Sequence, residues 1–370
     1  MAGKKFRVLV VDDSALVREL ISDTLLVSDE LELAGTAKNG REALDLFAQL
    51  RPDVITLDIQ MPVMDGLTTL RELLRLHPVP VVMVSATTRL GAEITLEALE
   101  MGAIDYVTKP EGGTANDKVW QEEFLRKVRS AASANVTQVL AIRTRHAEQR
   151  KQRQAATAQR SEPTTVAPPR DFADKLIALG ISTGGPPALS ELFEQLQGPL
   201  PPIVIVQHMP AHFTKQFAGR LNSLSRLTCK EAETGDILEP NHAYIAAGGF
   251  QLEILPHGRG GKLRVREGEL VSGHRPSVDV MMTSAAKIYG DRCLGIIMTG
   301  MGRDGADGCK LIKQAGGYVL GQDEKTSDVY GMNRVAFVEG GVDKQFPLSE
   351  GAGVISQTVK RLWVNVLAGV

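Results

Sequence analysis

The sequence predicts two α/β domains, each built on a largely parallel sheet, joined by a basic connecting stretch. Three observations carry this. The 370 residues exceed one core of about 150. Short β-branched runs alternate with helical patterns over the first 125 residues, and a second alternation begins at Lys175 after a change of composition. At 43% hydrophobic and 23% charged, the chain is globular rather than collagenous or wholly disordered. A formal charge of −2 excludes coating nucleic acid through overall basicity, and no basic recognition helix follows the charged stretch. Cys229, Cys293 and Cys309 show no C-x-x-C spacing, which argues against a disulfide framework or zinc site and for a reducing compartment. The apolar run Val8 to Val11 stops at Asp12 and Asp13, too short for a signal-peptide core, and no later run approaches the roughly 18 residues of a membrane span. A cytoplasmic protein without membrane insertion is expected.

Taken in order, strands are predicted at Phe6 to Val11, Leu31 to Ala34, Asp53 to Leu57, Val79 to Val84 and Ile104 to Val107. Between them, Asn39 caps a helix over Arg41 to Leu50, Gly66 precedes Leu67 to Leu76, and Gly91 to Met101 has apolar residues at helical spacing. This alternation gives right-handed βαβ units and a five-stranded parallel sheet within residues 5–125.

Residues 126–170 read as a basic linker. They hold ten Lys and Arg against Glu148 and Glu162, a local charge of +8, and end near Pro168 and Pro169. Val119, Phe124, Leu125 and Val128 suggest that its start continues a helix, and the rest is expected to be a solvated tether without apolar residues to pack. Residues 171–370 form the second domain. Its strands are predicted at Leu176 to Leu179, Ile203 to Val206, Tyr244 to Ala246, Leu294 to Met298 and Tyr318 to Leu320, with helices after Pro186, Ala211, Ser277, Asp304 and Ser349. Gln251 to Leu255 and Lys262 to Arg266 read as an inserted hairpin.

Ligands of open parallel sheets gather at the carboxyl ends of the strands. In the first domain those ends carry Asp12, Asp13, Asp58, Ser85 and the Lys109-Pro110 pair. Carboxylates suit a small hard cation, a carboxylate can accept a phosphoryl group, and hydroxyl and ammonium groups can hold its oxygens. The segment Arg51 to Gly66, RPDVITLDIQMPVMDG, closely resembles the phosphorylation loop of response-regulator receivers. That resemblance implies a flavodoxin-like fold, Asp58 as acceptor from a histidine kinase, and Mg²⁺ placed by Asp12, Asp13, Asp58 and the Gln60 carbonyl. It further implies Ser85 and Lys109 as phosphoryl partners and Tyr106 as an aromatic switch.

In the second domain the strand Leu176 to Leu179 runs into Gly180-Ile181-Ser182-Thr183-Gly184-Gly185-Pro186, which presents a serine at a helix start. G-x-S-x-G fits a nucleophile elbow, and a phosphate-cradling turn looks similar. His208 ends the next strand, with His212 as a competing base, and Asp304 follows a later one. The order Ser, His, Asp differs from the Ser, Asp, His of α/β-hydrolases. With the Ser182 turn, His208-Met209-Pro210, Tyr244-Ile245-Ala246, His274-Arg275-Pro276-Ser277-Val278-Asp279-Val280 and Thr299 to Gly305, the whole chain resembles the CheB family of chemotaxis methylesterases.

The resemblance implies Ser182 as nucleophile, His208 as base, Asp304 as orienting acid, and an oxyanion and substrate neighbourhood at Thr183 and Met301, without a cofactor. It implies hydrolysis of glutamyl methyl esters and deamidation of glutamines on methyl-accepting chemotaxis receptors, by a monomer whose unphosphorylated receiver docks over the Ser182 cleft. His274 is expected to shape the cleft. Ala247, Asn333 and Asn241 depart from the family pattern of proline, proline and glycine. Two rival readings are a response regulator whose second domain only binds, and a receiver fused to an unrelated serine hydrolase.

Overall fold

The computed structural model describes residues 5–86, 88–109, 117–157 and 170–364. Pro110, Glu162, Pro168 and Pro169 therefore lie outside the described residues. The chain divides into two compact units near residue 150.

In the first unit β1 (Phe6–Val11), β2 (Leu31–Ala37), β3 (Val54–Asp58), β4 (Val81–Ser85) and β5 (Asp105–Thr108) form one sheet in the order β2-β1-β3-β4-β5. Every pairing is parallel, so the order is that of a doubly wound flavodoxin-like sheet. The helices are α1 (Ala15–Leu26), α2 (Gly40–Leu50), α3 (Gly66–Leu76), α4 (Arg89–Met101) and α5 (Lys118–Ala132). Each starts at a side-chain cap, from Ser14, Asn39, Asp65, Thr88 and Asp117 in turn, whose oxygen accepts an orphan N–H of the first turn. Strand β4 starts at Val81 rather than Val79, because Pro80 has no N–H for the ladder.

The stretch read as linker begins inside α5 and continues into α6 (Val136–Thr157). Val136 and Val139 are buried in the same apolar cluster as Val128 and Phe124, with Leu140 packed against it, and Ile142 is also buried. Residues 126–142 are thus part of the first unit. Apolar residues at i, i+3 and i+4 dock the start of α6, which the basic composition of the stretch as a whole conceals.

The second unit holds β6 (Leu176–Ile181), β7 (Ile203–Gln207), β8 (Thr228–Glu231), β9 (His242–Ile245), β10 (Gln251–His257), β11 (Gly260–Arg266), β12 (Cys293–Ile297), β13 (Tyr318–Gln322) and β14 (Lys344–Phe346). Seven of these make a parallel sheet in the order β14-β13-β12-β6-β7-β9-β8, while β10 and β11 pair separately as the antiparallel hairpin. The helices are α7 (Gly185–Gln195), α8 (Ala211–Leu224), α9 (Val278–Tyr289), α10 (Ala306–Gln314), α11 (Met332–Val338) and α12 (Gly351–Val359). Strand order reverses direction at β6, which lies between β12 and β7. The crevice that such a switch point opens is therefore at the carboxyl ends of these three strands.

Candidate active site and phosphoryl site

The polar residues at the ends of β6, β7 and β12 converge. Ser182 Oγ lies 3.0 Å from His208 Nδ1, and His208 Nε2 lies 2.8 Å from Asp304 Oδ2. Ser182 is held by its backbone: its N–H donates to Thr299 O at 2.9 Å, and its carbonyl accepts from Gly185 N–H at 2.7 Å and Gln207 Nε2 at 3.1 Å. Thr299 Oγ1 donates to Thr183 O at 2.9 Å, which ties the loop after β12 to the serine turn. The left-handed residue of this turn is Gly184, at φ 76°, where a Cβ would fall 2.6 Å from Asp328. Gly300 is needed for a different reason, since a Cβ there would sit 2.8 Å from Ser182 Cβ. The next residue, Met301, has an N–H that no acceptor takes among the described residues.

Asp304 is 1% exposed, and four donors surround its carboxylate. Oδ2 accepts from His208 Nε2 and from Val278 N–H at 2.7 Å; Oδ1 accepts from Ser277 Oγ at 2.7 Å and Asp279 N–H at 3.1 Å. Burial alone pushes this carboxyl up, but the bonds from His208, Ser277 and the Val278 amide outweigh it and hold it down at about 2. Asp279, beside it, is pushed up to about 6 by burial, with the Asp304 charge adding to the effect. An ionised Asp304 only accepts, so the ring nitrogen facing it, Nε2, carries a proton, and the tautomer with its hydrogen there offers the Nδ1 lone pair to the serine. The His274 ring stacks on His208, centroids 3.7 Å apart and planes 11° from parallel. His212 is exposed on α8 and, among the described residues, has no hydrogen bond to Ser182 or Asp304. Gln207, Thr299 and Ser277 carry no site signal of their own in the sequence, although Thr299 and Ser277 lie inside the Thr299 to Gly305 and His274 to Val280 motifs.

In the first unit the strand ends converge as well. Lys109 Nζ bridges Asp12 Oδ2 and Asp58 Oδ2, at 2.9 Å from each. Asp12 is buried and Asp13 exposed, and oxygens of Asp12, Asp13 and Asp58 all lie within 4.8 Å of one another. Burial and the Asp12 charge push Asp58 up to about 6 against the pull of Lys109. Burial would lower Lys109, but its bonds to both carboxylates outweigh that and raise it. Negative charge thus exceeds what Lys109 neutralises, and a set of hard carboxylate oxygens fits a small divalent cation. Ser85 Oγ is 2.9 Å from Thr95 Oγ1 of α4, and Gln60 is exposed beyond β3. Tyr106 is buried, with Lys127 Nζ 4.7 Å from its ring centroid.

A serine, a histidine and an ionised aspartate in hydrogen-bonded series at the switch point of a parallel sheet is the arrangement of the serine-hydrolase class, here on a chain whose other α/β unit carries a lysine-bridged carboxylate cluster. Residues 177–355 match the family model of CheB methylesterase, and residues 8–116 match that of the response regulator receiver domain. Curated relatives named protein-glutamate methylesterase/protein-glutamine glutaminase match nearly throughout. The one from Geobacillus kaustophilus is 46% identical, covering 96% of this chain and 99% of the relative; that from Pectobacterium atrosepticum is 44% identical, covering 99% and 98%. The chain belongs to the CheB family. Among the described residues no helix is long and apolar enough to cross a membrane.

Proposed function

We propose that Ser182, His208 and Asp304 act as one triad for both activities of this protein-glutamate methylesterase and protein-glutamine glutaminase, which serves chemotactic adaptation under control of its receiver. The series Ser182 Oγ, His208 Nδ1, His208 Nε2 and Asp304 Oδ2, at 3.0 and 2.8 Å, is the observation that carries the reading. Ser182 Oγ attacks the glutamyl carbonyl carbon while its proton passes to His208 Nδ1. The developing oxyanion is taken by the Met301 N–H, with Thr183 lining the substrate neighbourhood. His208 returns the proton to the leaving group, so an ester yields methanol and an amide yields ammonia. Water, deprotonated by His208, then hydrolyses the acyl-enzyme to glutamate. Both substrates converge on the same glutamyl ester of Ser182, which explains two activities from one site.

On the receiver, Asp58 is the phosphoryl acceptor, Ser85 and Lys109 contact the incoming oxygens, and Tyr106 and the Ser85 strand end respond to the new charge. Asp12, Asp13, Asp58 and the Gln60 carbonyl would hold Mg²⁺, which when bound supplies positive charge against the phosphoryl oxygens. A histidine kinase is the donor, and methylated chemoreceptors are the substrate. The receiver extends from residue 5 to about 142, the connection follows, and the catalytic domain spans 171–370.

The test is methanol release from methylated receptor and ammonia release from its glutamine form. Ser182→Ala should lose both by several orders of magnitude together; near-normal release by the folded variant removes the serine mechanism. Under a small-molecule phosphodonor with Mg²⁺, mass spectrometry should find phosphate on Asp58 and none on the Asp58→Asn protein. Phosphate on another residue of the native receiver overturns that assignment.

A further inference from the structure

The segment His274 to Val280 contributes no reacting atom to this scheme, yet Ser277 within it is completely buried and bonded to the acid. We propose that Ser277 is a positioning residue whose hydroxyl sets the rotation of the Asp304 carboxylate and, through it, the orientation of His208. This rests on the triad reading and adds a fourth residue that acts through the acid.

The hydroxyl has one proton to give, and an ionised carboxylate only accepts, so the proton of Ser277 Oγ lies toward Asp304 Oδ1 at 2.7 Å. A lone pair of the same oxygen caps α9, taking the Val280 N–H at 3.4 Å. Ser277 is itself pinned: its N–H donates to Gln251 Oε1 at 2.9 Å, and buried Gln251 is anchored in turn through Nε2 to Glu269 O at 2.9 Å and His274 O at 3.2 Å. The Oδ2 side of Asp304 is committed to His208 and Val278. On the Oδ1 side, removing the hydroxyl leaves, among the described residues, the longer bond from Asp279 N–H, 3.1 Å. With Oδ1 held by that longer bond alone, the carboxylate gains freedom to turn about its Cβ–Cγ bond, and the Nε2 contact loosens. The buried hydroxyl touches the acid and acts on the histidine through it, so the effect falls on proton transfer rather than on substrate binding.

The hydroxyl both caps a helix and holds the acid, and two substitutions separate these roles. Glycine at an N-cap costs a helix far less than alanine does, while both remove the hydroxyl. The full-length Ser277→Gly and Ser277→Ala proteins would be compared with Asp304→Asn for methanol release from methylated chemoreceptor membranes. The downfield proton resonance of His208 Nε2–H and thermal unfolding would be recorded alongside. The expected result is a kcat lower by about tenfold to a hundredfold in both serine variants. KM should stay within twofold, the resonance should move upfield or vanish, and the glycine variant should unfold near the wild-type temperature. A folded Ser277→Gly protein with kcat within twofold of wild type, beside an Asp304→Asn protein about a thousandfold slower or worse, overturns the role of Ser277 alone. A near-normal Asp304→Asn protein removes the triad, and the role of Ser277 with it.

Discussion

Gly300 is the wall behind Ser182, wedged between it and Met332, with room there for a hydrogen only. A methyl group there would lie 2.4 Å from Met332 Sδ and 2.8 Å from Ser182 Cβ. The thioether can rotate aside, but Ser182 is tied at its N–H and its carbonyl, so the strain goes into the loop that also carries the Met301 amide. Gly300→Ala is therefore expected to destabilise the catalytic domain by about 1–3 kcal/mol and to lower kcat for methanol release more than tenfold. Thermal unfolding and steady-state kinetics on methylated receptor check it, and an unchanged kcat would mean that the serine does not need this wall. Ser182, His208 and Asp304 are legible in the sequence as candidates because each follows an apolar strand, Ser182 and His208 directly after β6 and β7 and Asp304 in the glycine-rich loop after β12. Ser277 was legible only as a helix start: its bond to Asp304 joins residues 27 apart, and a capping serine looks the same whether or not an acid lies behind it. Gln207 ends β7 immediately before His208 and reads as the polar end of a strand until its amide is seen to bridge two carbonyls.

Elements were legible where their apolar content was high. Strands β8 and β14 were missed because Thr228-Cys229-Lys230-Glu231 and Lys344-Gln345-Phe346 are short, polar edge strands that bury one side chain each. The start of α6 was missed because Val136, Val139 and Leu140 sit in a basic, glutamine-rich stretch whose average conceals a local apolar stripe. At α9 two carboxylates crowd one helix end with opposite consequences. Asp304 has the donors and is held at about 2, below its ordinary 3.8, so its stabilising contribution is complete above the ordinary value and fades as pH falls toward 2. Asp279 accepts from Gly308 N–H at 2.8 Å, and burial nevertheless raises it to about 6. The native state therefore binds the Asp279 proton more tightly than the unfolded chain does, and stability falls as pH rises from about 4 through 6. Asp279→Asn keeps an acceptor for Gly308 and removes that charge. Its stability relative to wild type should be unchanged near pH 4 and greater by about 1–2 kcal/mol at pH 7. Denaturant melts at the two pH values check this; an equal difference at both would show that Asp279 does not titrate in this range.

At the scale of the whole molecule, two units with separate cores carry a phosphoryl site and a hydrolase site, and a covalent connection makes any contact between them intramolecular. Tethering supplies an effective concentration on the order of millimolar, so an interface too weak to survive between separate chains suffices to restrain the enzyme. Raising the active fraction from about 1% to one half takes roughly 2.7 kcal/mol of differential stabilisation. Phosphorylation of Asp58 would replace its carboxylate charge by a phosphoryl group carrying close to two, a net gain of about one negative charge beside Asp12 and Lys109, where a single ammonium now bridges both carboxylates at 2.9 Å. The full-length unphosphorylated protein is accordingly expected to be slower on methylated receptor than a 171–370 fragment, which contains the complete second core and all three triad residues. Phosphodonor should raise the full-length rate, leave the fragment unaffected, and fail on Asp58→Asn. The measurement is kcat/KM for each protein with and without phosphodonor. Equal values for the folded fragment and the unphosphorylated chain would exclude restraint by the receiver and leave it acting by activation or by bringing the enzyme to its substrate.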